Sequence, residues 1–372
     1  MIRVKKVHIV AGARPNFMKI APLYHALAGH PWLKPVVIHT GQHFSANMSD
    51  DFFVDLKLPA PDFHLGARGE THARQTAAIM TAYEDLALAH RPDWVVVVGD
   101  VNSTVAAALV AKKLELPVAH LEAGLRNFDR TLPEEINRIV TDSISDLFWT
   151  PSPDADDNLR REGVPAERID RVGNIMIDSF LMLESAIAAV DMPRRIGLSG
   201  RPYVVSTLHR PANVDHEAPL REIVDAYVAL SAEVDVVFPV HPRTDARLKA
   251  FDLRRKLERP GIKLLEPLRY MEFMSLVLRA SLVVTDSGGV QEETSFLGIP
   301  CLTLRPNTER PITVTEGTNR LIGTESLLSA SRTALSGPRP ERPIIDRWDG
   351  QAARRVVASL ERHASSTPAG KS

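Results

Sequence analysis

Cysteine is nearly absent: Cys301 is the only one in 372 residues. One thiol cannot form an intramolecular disulfide or a cysteine-based metal cluster, and a reducing, cytoplasmic setting is the expectation. Net charge is nearly absent as well, with 45 basic against 46 acidic residues and a formal balance of -1. Such a chain has no broad field for nucleic acid or an anionic membrane, so any phosphate recognition must be local. No stretch approaches 18 uninterrupted apolar residues, and no membrane span is expected. Met1–Val10 starts basic and runs straight into a strand-like segment, without the apolar core and cleavage site of a signal peptide. The G-x-G-x-x-G fingerprint is missing, which argues against a nicotinamide cofactor, and no cofactor or metal is expected.

What is present describes a folded α/β chain. A hydrophobic share of 44% with 24% charged residues excludes wholesale disorder. The length exceeds what one core usually fills, so two domains are expected. Short apolar runs recur at Val7–Ala11, Val36–His39, Trp94–Val98, Pro117–Leu121 and Leu147–Thr150. They return at Tyr203–Thr207, Val234–Val240, Ile262–Leu265, Leu282–Thr285 and Pro300–Leu304. Each reads as a strand covered on both faces, and stretches with helical spacing lie between them. Alternation of this kind predicts βαβ units and two Rossmann-like parallel sheets. The rhythm weakens between Leu181 and Arg201, the expected linker. The expected N-terminal domain is 1–180, joined by a last helix over 351–364, with a second domain over 200–350 and a disordered tail at 365–372. The proline-rich segment Gly337–Pro343 reads as an extended loop.

In open parallel sheets ligands bind beyond the carboxyl ends of the strands, so the polar residues there carry the information. Asp286-Ser287-Gly288-Gly289-Val290-Gln291-Glu292-Glu293 takes a strand through a glycine turn into a helix. Gly288 and Gly289 would let the backbone approach a phosphate, and Glu293 could reach ribose hydroxyls. The same residues also read as a capped helix start, with Ser287 as the cap. Gly12–Asn16 ends the first strand; Arg14 is a diphosphate clamp candidate, and Lys19, on the helix that follows, is a substrate-binding candidate, though either could be a surface cation and Lys19 taken alone reads as one. Gly41-Gln42-His43 ends the second strand.

Three carboxylates come from strand ends or the adjoining helix: Asp100, Glu122 and Glu134. Clustered acids raise one another's pKa and can supply an acid and a base together. Glu134 and Arg138 are four apart and share a helix face, so a salt bridge between them is the alternative reading of Glu134. Asp100 could instead cap the helix that starts near Ser103. His209 and His241 each follow an apolar strand of the second half, where a structural histidine or a functional one would fit.

With these residues in view, the chain resembles the non-hydrolysing UDP-N-acetylglucosamine 2-epimerases over Val7–Leu360. The resemblance is carried by Gly12–Lys19, Gly41–His43, Gly99–Thr104, His120–Arg126, Pro133–Arg138, Gly173–Asp178, His209–Arg210, Pro239–His241, Thr285–Glu293, Thr308–Pro311 and Gly317–Gly323. It implies the GT-B architecture with an interdomain cleft, a UDP-sugar substrate, a homodimer, and reversible inversion at C2 through 2-acetamidoglucal and UDP. It also implies acid/base roles among Asp100, Glu122, Glu134 and His209. Arg14, His241, Ser287, Gly288 and Glu293 match UDP-contacting positions, Phe273 lies where uracil is approached, and Arg138 and Arg310 match further site arginines.

The chain departs from the family pattern in places. Asn16 stands where many members have Glu, Pro211-Ala212 where many have Arg-Glu, and Phe44 where Arg is usual. Allosteric activation by UDP-GlcNAc uses these segments in several members and is not carried over. A hydrolysing 2-epimerase, an epimerase of a modified hexosamine, and a GT-B glycosyltransferase or UDP-sugar binding protein are the alternatives.

Overall fold

The structure is a computed structural model that describes residues 3–41, 53, 55–198 and 200–366. The chain divides into two compact units. Unit 1 takes the chain up to Met182 and again from Asp346, and unit 2 is Leu183–Ile345. The division falls inside a continuous helix, Ile175–Val190.

Unit 1 carries a parallel sheet of β1 (Lys5–Ala11), β2 (Leu33–His39), β3 (Phe63–His64), β4 (Trp94–Val98), β5 (Val118–Leu121), β6 (Leu147–Thr150) and β7 (Ile169–Arg171). Its order is β3-β2-β1-β4-β5-β6-β7. Unit 2 carries β8 (Tyr203–Thr207), β9 (Asp235–Pro239), β10 (Ile262–Leu265), β11 (Leu282–Thr285), β12 (Cys301–Leu304) and β13 (Asn319–Ile322), ordered β10-β9-β8-β11-β12-β13. Both are Rossmann-like, and in each the winding reverses beside the first strand. The switch points therefore lie between β1 and β4 and between β8 and β11.

The sequence explains the layers. Trp94-Val95-Val96-Val97-Val98 is buried at every position, as a strand needs when helices cover both faces. Tyr227 and Phe238 pack edge to face in the core of unit 2, beside Val204, Val236 and Leu302. The stretches between strands form helices at Arg14–Ala28, His72–Ala89, Asn102–Lys113 and Pro133–Ile144. The segment 337–351 carries no helix or strand.

The last helix, Ala352–Ser366, belongs to unit 1 and is fixed at both ends. Asp178 accepts from Ala352 N at 3.2 Å and Ala353 N at 2.8 Å, satisfying donors of the helix start. Burial still pushes its carboxyl up to about 6 against the pull of those donors. Further along, Trp149 Nε1 donates to Ser359 Oγ at 2.8 Å, and Ser359 donates to Asp170 at 2.5 Å. Of the tail expected at 365–372, residues 367–372 lie outside the described residues. No helix among the described residues is long and apolar enough to cross a membrane.

Candidate active site

Two groups of residues stand out, one at the switch point of each unit. In unit 1 the centre is an ion pair between Lys19 and Glu122, with Nζ and Oε2 at 2.5 Å and both side chains buried. The surface position expected for Lys19 read alone is corrected here. The helix Arg14–Ala28 turns Lys19 inward beside the end of β4, where a partner charge offsets the cost of burial. The other carboxylate oxygen of Glu122, Oε1, is buried without a hydrogen-bond partner among the described residues. The backbone of Glu122 is also strained, at φ +71°, and is held there by hydrogen bonds from its N–H and that of Ala123 to Trp149 O. A buried acceptor of this kind, on a strained residue at a strand end, marks Glu122 as a candidate site residue.

Gly99 makes room for this pair. A Cβ there would lie 3.2 Å from Lys19 Nζ and 3.5 Å from Glu122 Oε2, and its φ of +66° suits glycine. Asn16 ties the two strand ends together: Oδ1 accepts from Ala13 N at 3.0 Å, and Nδ2 donates to Val98 O at 3.0 Å. A glutamate, usual at this position in the resemblance, could accept in the same way. It could not donate to Val98 while ionised.

Asp100, just past β4, pairs with Arg138 and does not cap the following helix, which starts after Val101 without a side-chain cap. Arg138 also grips Glu135, with Nη2 and Oε2 at 2.8 Å. Glu135 in turn accepts from Asn127 N and Phe128 N, so one chain of contacts runs from Asp100 to the 127–128 loop. The alternative reading of Glu134 as the partner of Arg138 in a helix salt bridge is therefore not what the structure shows. Arg138 turns to Glu135 because that carboxylate is on the buried face, whereas Glu134 is exposed and forms no ion pair among the described residues. Behind Gly99, buried His120 contacts Gly99 O at 2.8 Å and Asp142 at 2.6 Å. Burial pulls Asp142 upward, but His120 and Arg126 outweigh it and hold the carboxyl below its ordinary value.

The Arg14 side chain and the pair Gln42-His43 lie outside the described residues; Arg14 opens its helix at the end of β1.

In unit 2 the centre is Asp286, wholly buried at the end of β11. It accepts from His209 N at 3.0 Å, Arg210 N at 2.8 Å and Asn213 Nδ2 at 3.1 Å, and lies 2.9 Å from His209 Nδ1. Burial raises its carboxyl, but His209 and these donors lower it further, so it stays ionised. The His209 and His241 rings are 5.7 Å apart. His241 caps the helix Pro242–Ala250, its Nδ1 accepting from Arg243 N at 3.2 Å. Burial and the charge of His209 hold the His241 ring below its ordinary pKa.

Ser287 precedes the helix Gly288–Leu297, but its hydroxyl makes no capping bond. The alternative that made Ser287 a side-chain cap is therefore not what the structure shows, and a helix start without such a cap is suited to an anion. Gly288 is a close-approach glycine: a Cβ would come within 2.7 Å of Glu309 and 2.8 Å of Arg310, while Gly289 faces open space. Arg310 is buried between Glu309 and Glu292, with Nε 2.9 Å from Glu292 Oε2. Glu293 is buried and accepts from Tyr270 Oη at 2.6 Å; burial pushes its carboxyl up to about 7. Phe273 sits half-buried one turn along the same helix as Tyr270, Tyr270–Val277.

Asn16, Glu135, Tyr270, the His120–Asp142 pair and the role of Asp286 were not predicted from sequence. Asp286 carries the best signal in hindsight, an acid directly ending a buried strand. The described residues include no group of His, Cys, Asp and Glu suited to holding a metal ion.

Comparison with known proteins agrees with this geometry. A family profile described as UDP-N-acetylglucosamine 2-epimerase matches residues 25–361. The UDP-N-acetylglucosamine 2-epimerase of Methanocaldococcus jannaschii is 43% identical over 365 residues, covering 95% of this chain and 98% of that one. The UDP-2,3-diacetamido-2,3-dideoxy-D-glucuronate 2-epimerase of Pseudomonas aeruginosa is 42% identical, covering 89% and 92%. A crystal structure of the M. jannaschii UDP-GlcNAc 2-epimerase in complex with UDP-GlcNAc and UDP superposes with a TM-score of 0.85 at 40% identity, covering 96% and 99%. Matched along nearly its whole length in sequence and fold, this chain belongs to the UDP-N-acetylglucosamine 2-epimerase family and is an epimerase, hence an isomerase.

Proposed function

We propose that the chain interconverts UDP-N-acetylglucosamine and UDP-N-acetylmannosamine by inversion at C2, without net hydrolysis. In this reading the unit 2 group holds the nucleotide, with Ser287, Gly288 and Gly289 at the diphosphate and Glu293 at the ribose. His241, Arg310, Phe273 and Arg14 complete the binding set. The unit 1 group works on the sugar. A base among Asp100, Glu122 and Glu134 takes the C2 proton, the C1–O bond to UDP breaks, and a C1=C2 double bond forms. Protonation of C2 from the opposite face and return of the UDP oxygen to C1 complete the inversion. The sequence of steps is redox-neutral and requires no cofactor.

The observation that carries the reading is Glu122, a buried carboxylate with one oxygen on Lys19 and the other open. Glu122 is paired with Lys19, and Asp100 with Arg138, so each carboxylate is held by a cation at its strand end. A C2 proton is weakly acidic, so preorganised charge in a water-poor setting is what its removal demands.

A modified hexosamine is the second reading, favoured by the 42% identity to the diacetamido-glucuronate epimerase. Product analysis separates the possibilities. Purified protein is incubated with UDP-GlcNAc and with UDP-2,3-diacetamido-2,3-dideoxyglucuronate, and the products are resolved by ion-exchange chromatography and mass spectrometry. UDP-ManNAc at unchanged mass supports the proposal. Free ManNAc with UDP would replace it with hydrolysis, and turnover of the modified sugar alone would replace the substrate.

A further inference from the structure

We propose that Asp286 is a positioning residue that keeps the Nδ1 proton on His209, presenting Nε2 for proton exchange, while His241 is locked in the opposite tautomer as a neutral donor. The catalytic part of this assignment rests on the epimerase reading; the ring geometry does not.

The argument is a count of donors and acceptors. Asp286 receives the backbone N–H groups of His209 and Arg210 and the amide of Asn213. A carboxyl surrounded by donors has no room for a proton of its own, so it faces His209 Nδ1 as an acceptor, 2.9 Å away. Nδ1 must then carry the proton. The neutral ring is left with its lone pair on Nε2, at the edge away from Asp286. The His209 side chain is 43% exposed whereas Asp286 is fully buried, so the carboxylate is shielded and the ring accessible.

His241 shows the reverse. A backbone N–H can only donate, and Arg243 N donates to His241 Nδ1. The lone pair is therefore on Nδ1, and the proton of the neutral ring is on Nε2. The groups facing this pair are Asp286, Arg210 and Arg243, and each ring also faces the other. Asp286 holds the Nδ1 edge of His209. His241, exposed at the start of its helix, faces Arg243 and pairs with no carboxylate among the described residues. Two imidazoles at the ends of β8 and β9 are thus divided into one that can gain a proton and one that stays neutral and donates.

The test is long-range 1H–15N correlation NMR of the full chain labelled with [15N]histidine, titrated between pH 5 and 9. His209→Gln and His241→Gln variants assign the two rings. The expected spectra at high pH show His209 protonated on Nδ1 and His241 on Nε2. Asp286→Asn lowers kcat by on the order of 100-fold with little change in KM. An Nε2-protonated His209, or an Nδ1-protonated His241, overturns the proposal. If Asp286→Asn does not fold, the wild-type tautomers decide the question. Tautomers as expected with unchanged kcat would reject the catalytic role of His209 and leave the orientation by Asp286 standing.

Discussion

Lys19 and Glu122 form a buried ion pair 103 positions apart in sequence, with Nζ and Oε2 at 2.5 Å. The pair joins the helix after β1 to the end of β5, across the switch point of the first sheet. Removing one partner leaves an uncompensated charge in a buried place. Lys19→Ala is therefore expected to destabilise the protein by about 3–5 kcal/mol. Denaturant unfolding of the variant measures this, and a loss under about 1 kcal/mol would show that water reaches the pair.

Glu122→Gln keeps the volume of the side chain and removes its basicity. The expected result is a fall in turnover of about 10²–10⁴-fold, with substrate affinity largely kept. Steady-state kinetics separates the two. An equal rise in KM with turnover intact would make Glu122 a binding group only.

The Asp100–Arg138–Glu135 chain predicts that Arg138→Lys is not conservative. A lysine cannot hold both carboxylates in the planar fork that arginine provides. Turnover should fall at least tenfold, and the amides of Asn127 and Phe128, which donate to Glu135, should exchange faster with solvent. Hydrogen exchange read by mass spectrometry checks the second effect independently of activity.

Gly288 and Gly289 should respond differently to alanine. At Gly288 a methyl group collides with Glu309 and Arg310, so folding stability and UDP affinity should both drop. At Gly289 nothing stands within 4 Å, so the unliganded fold should tolerate the change. Weaker UDP binding by Gly289→Ala, at least tenfold by calorimetry, would place the nucleotide against that backbone. Unchanged affinity would remove Gly289 from the binding set.

Glu293 predicts a pH dependence of definite sign. Burial raises its carboxyl to about 7 from an ordinary value of 4.5. The folded state then binds more protons than the unfolded state between those values. Its contribution to stability is fully present below pH 4.5 and is lost as pH rises to about 7. Glu293→Gln should flatten this part of the Tm profile, and an unchanged slope would show that Glu293 titrates normally. His8 and His39 act oppositely. Burial lowers both to about 4, so their contribution is present above 6.5 and is lost as pH falls through 4.

Much of the fold was legible because parallel strands covered on both faces must be apolar throughout. Val95, Val96, Val97 and Val98 announce β4 without help from their surroundings. The edge strands of unit 1 were not. Phe63–His64 and Ile169–Arg171 are short and only partly buried or exposed, so no apolar run marks them. Inside the site, the strand-end rule pointed to Asp100, Glu122, His209 and the Ser287 turn. What it could not supply was pairing. Lys19 reads as a surface lysine until β5 delivers Glu122 beside it, and Glu135 rather than Glu134 faces Arg138 only once the helix phase is fixed. Pairing across 103 positions is a property of topology, which local pattern does not encode.

The most direct test of the proposed reaction is proton exchange at C2. The protein is incubated with UDP-GlcNAc in D2O and the sugar signals are followed by 1H NMR. The account predicts UDP-ManNAc carrying deuterium at C2, with the C2 proton signal of UDP-GlcNAc fading as the mixture equilibrates. Epimerised product that keeps a proton from the substrate at C2 would contradict it, because the abstracted proton would then never have reached solvent. A C2 signal undiminished while UDP-GlcNAc binds would contradict it equally.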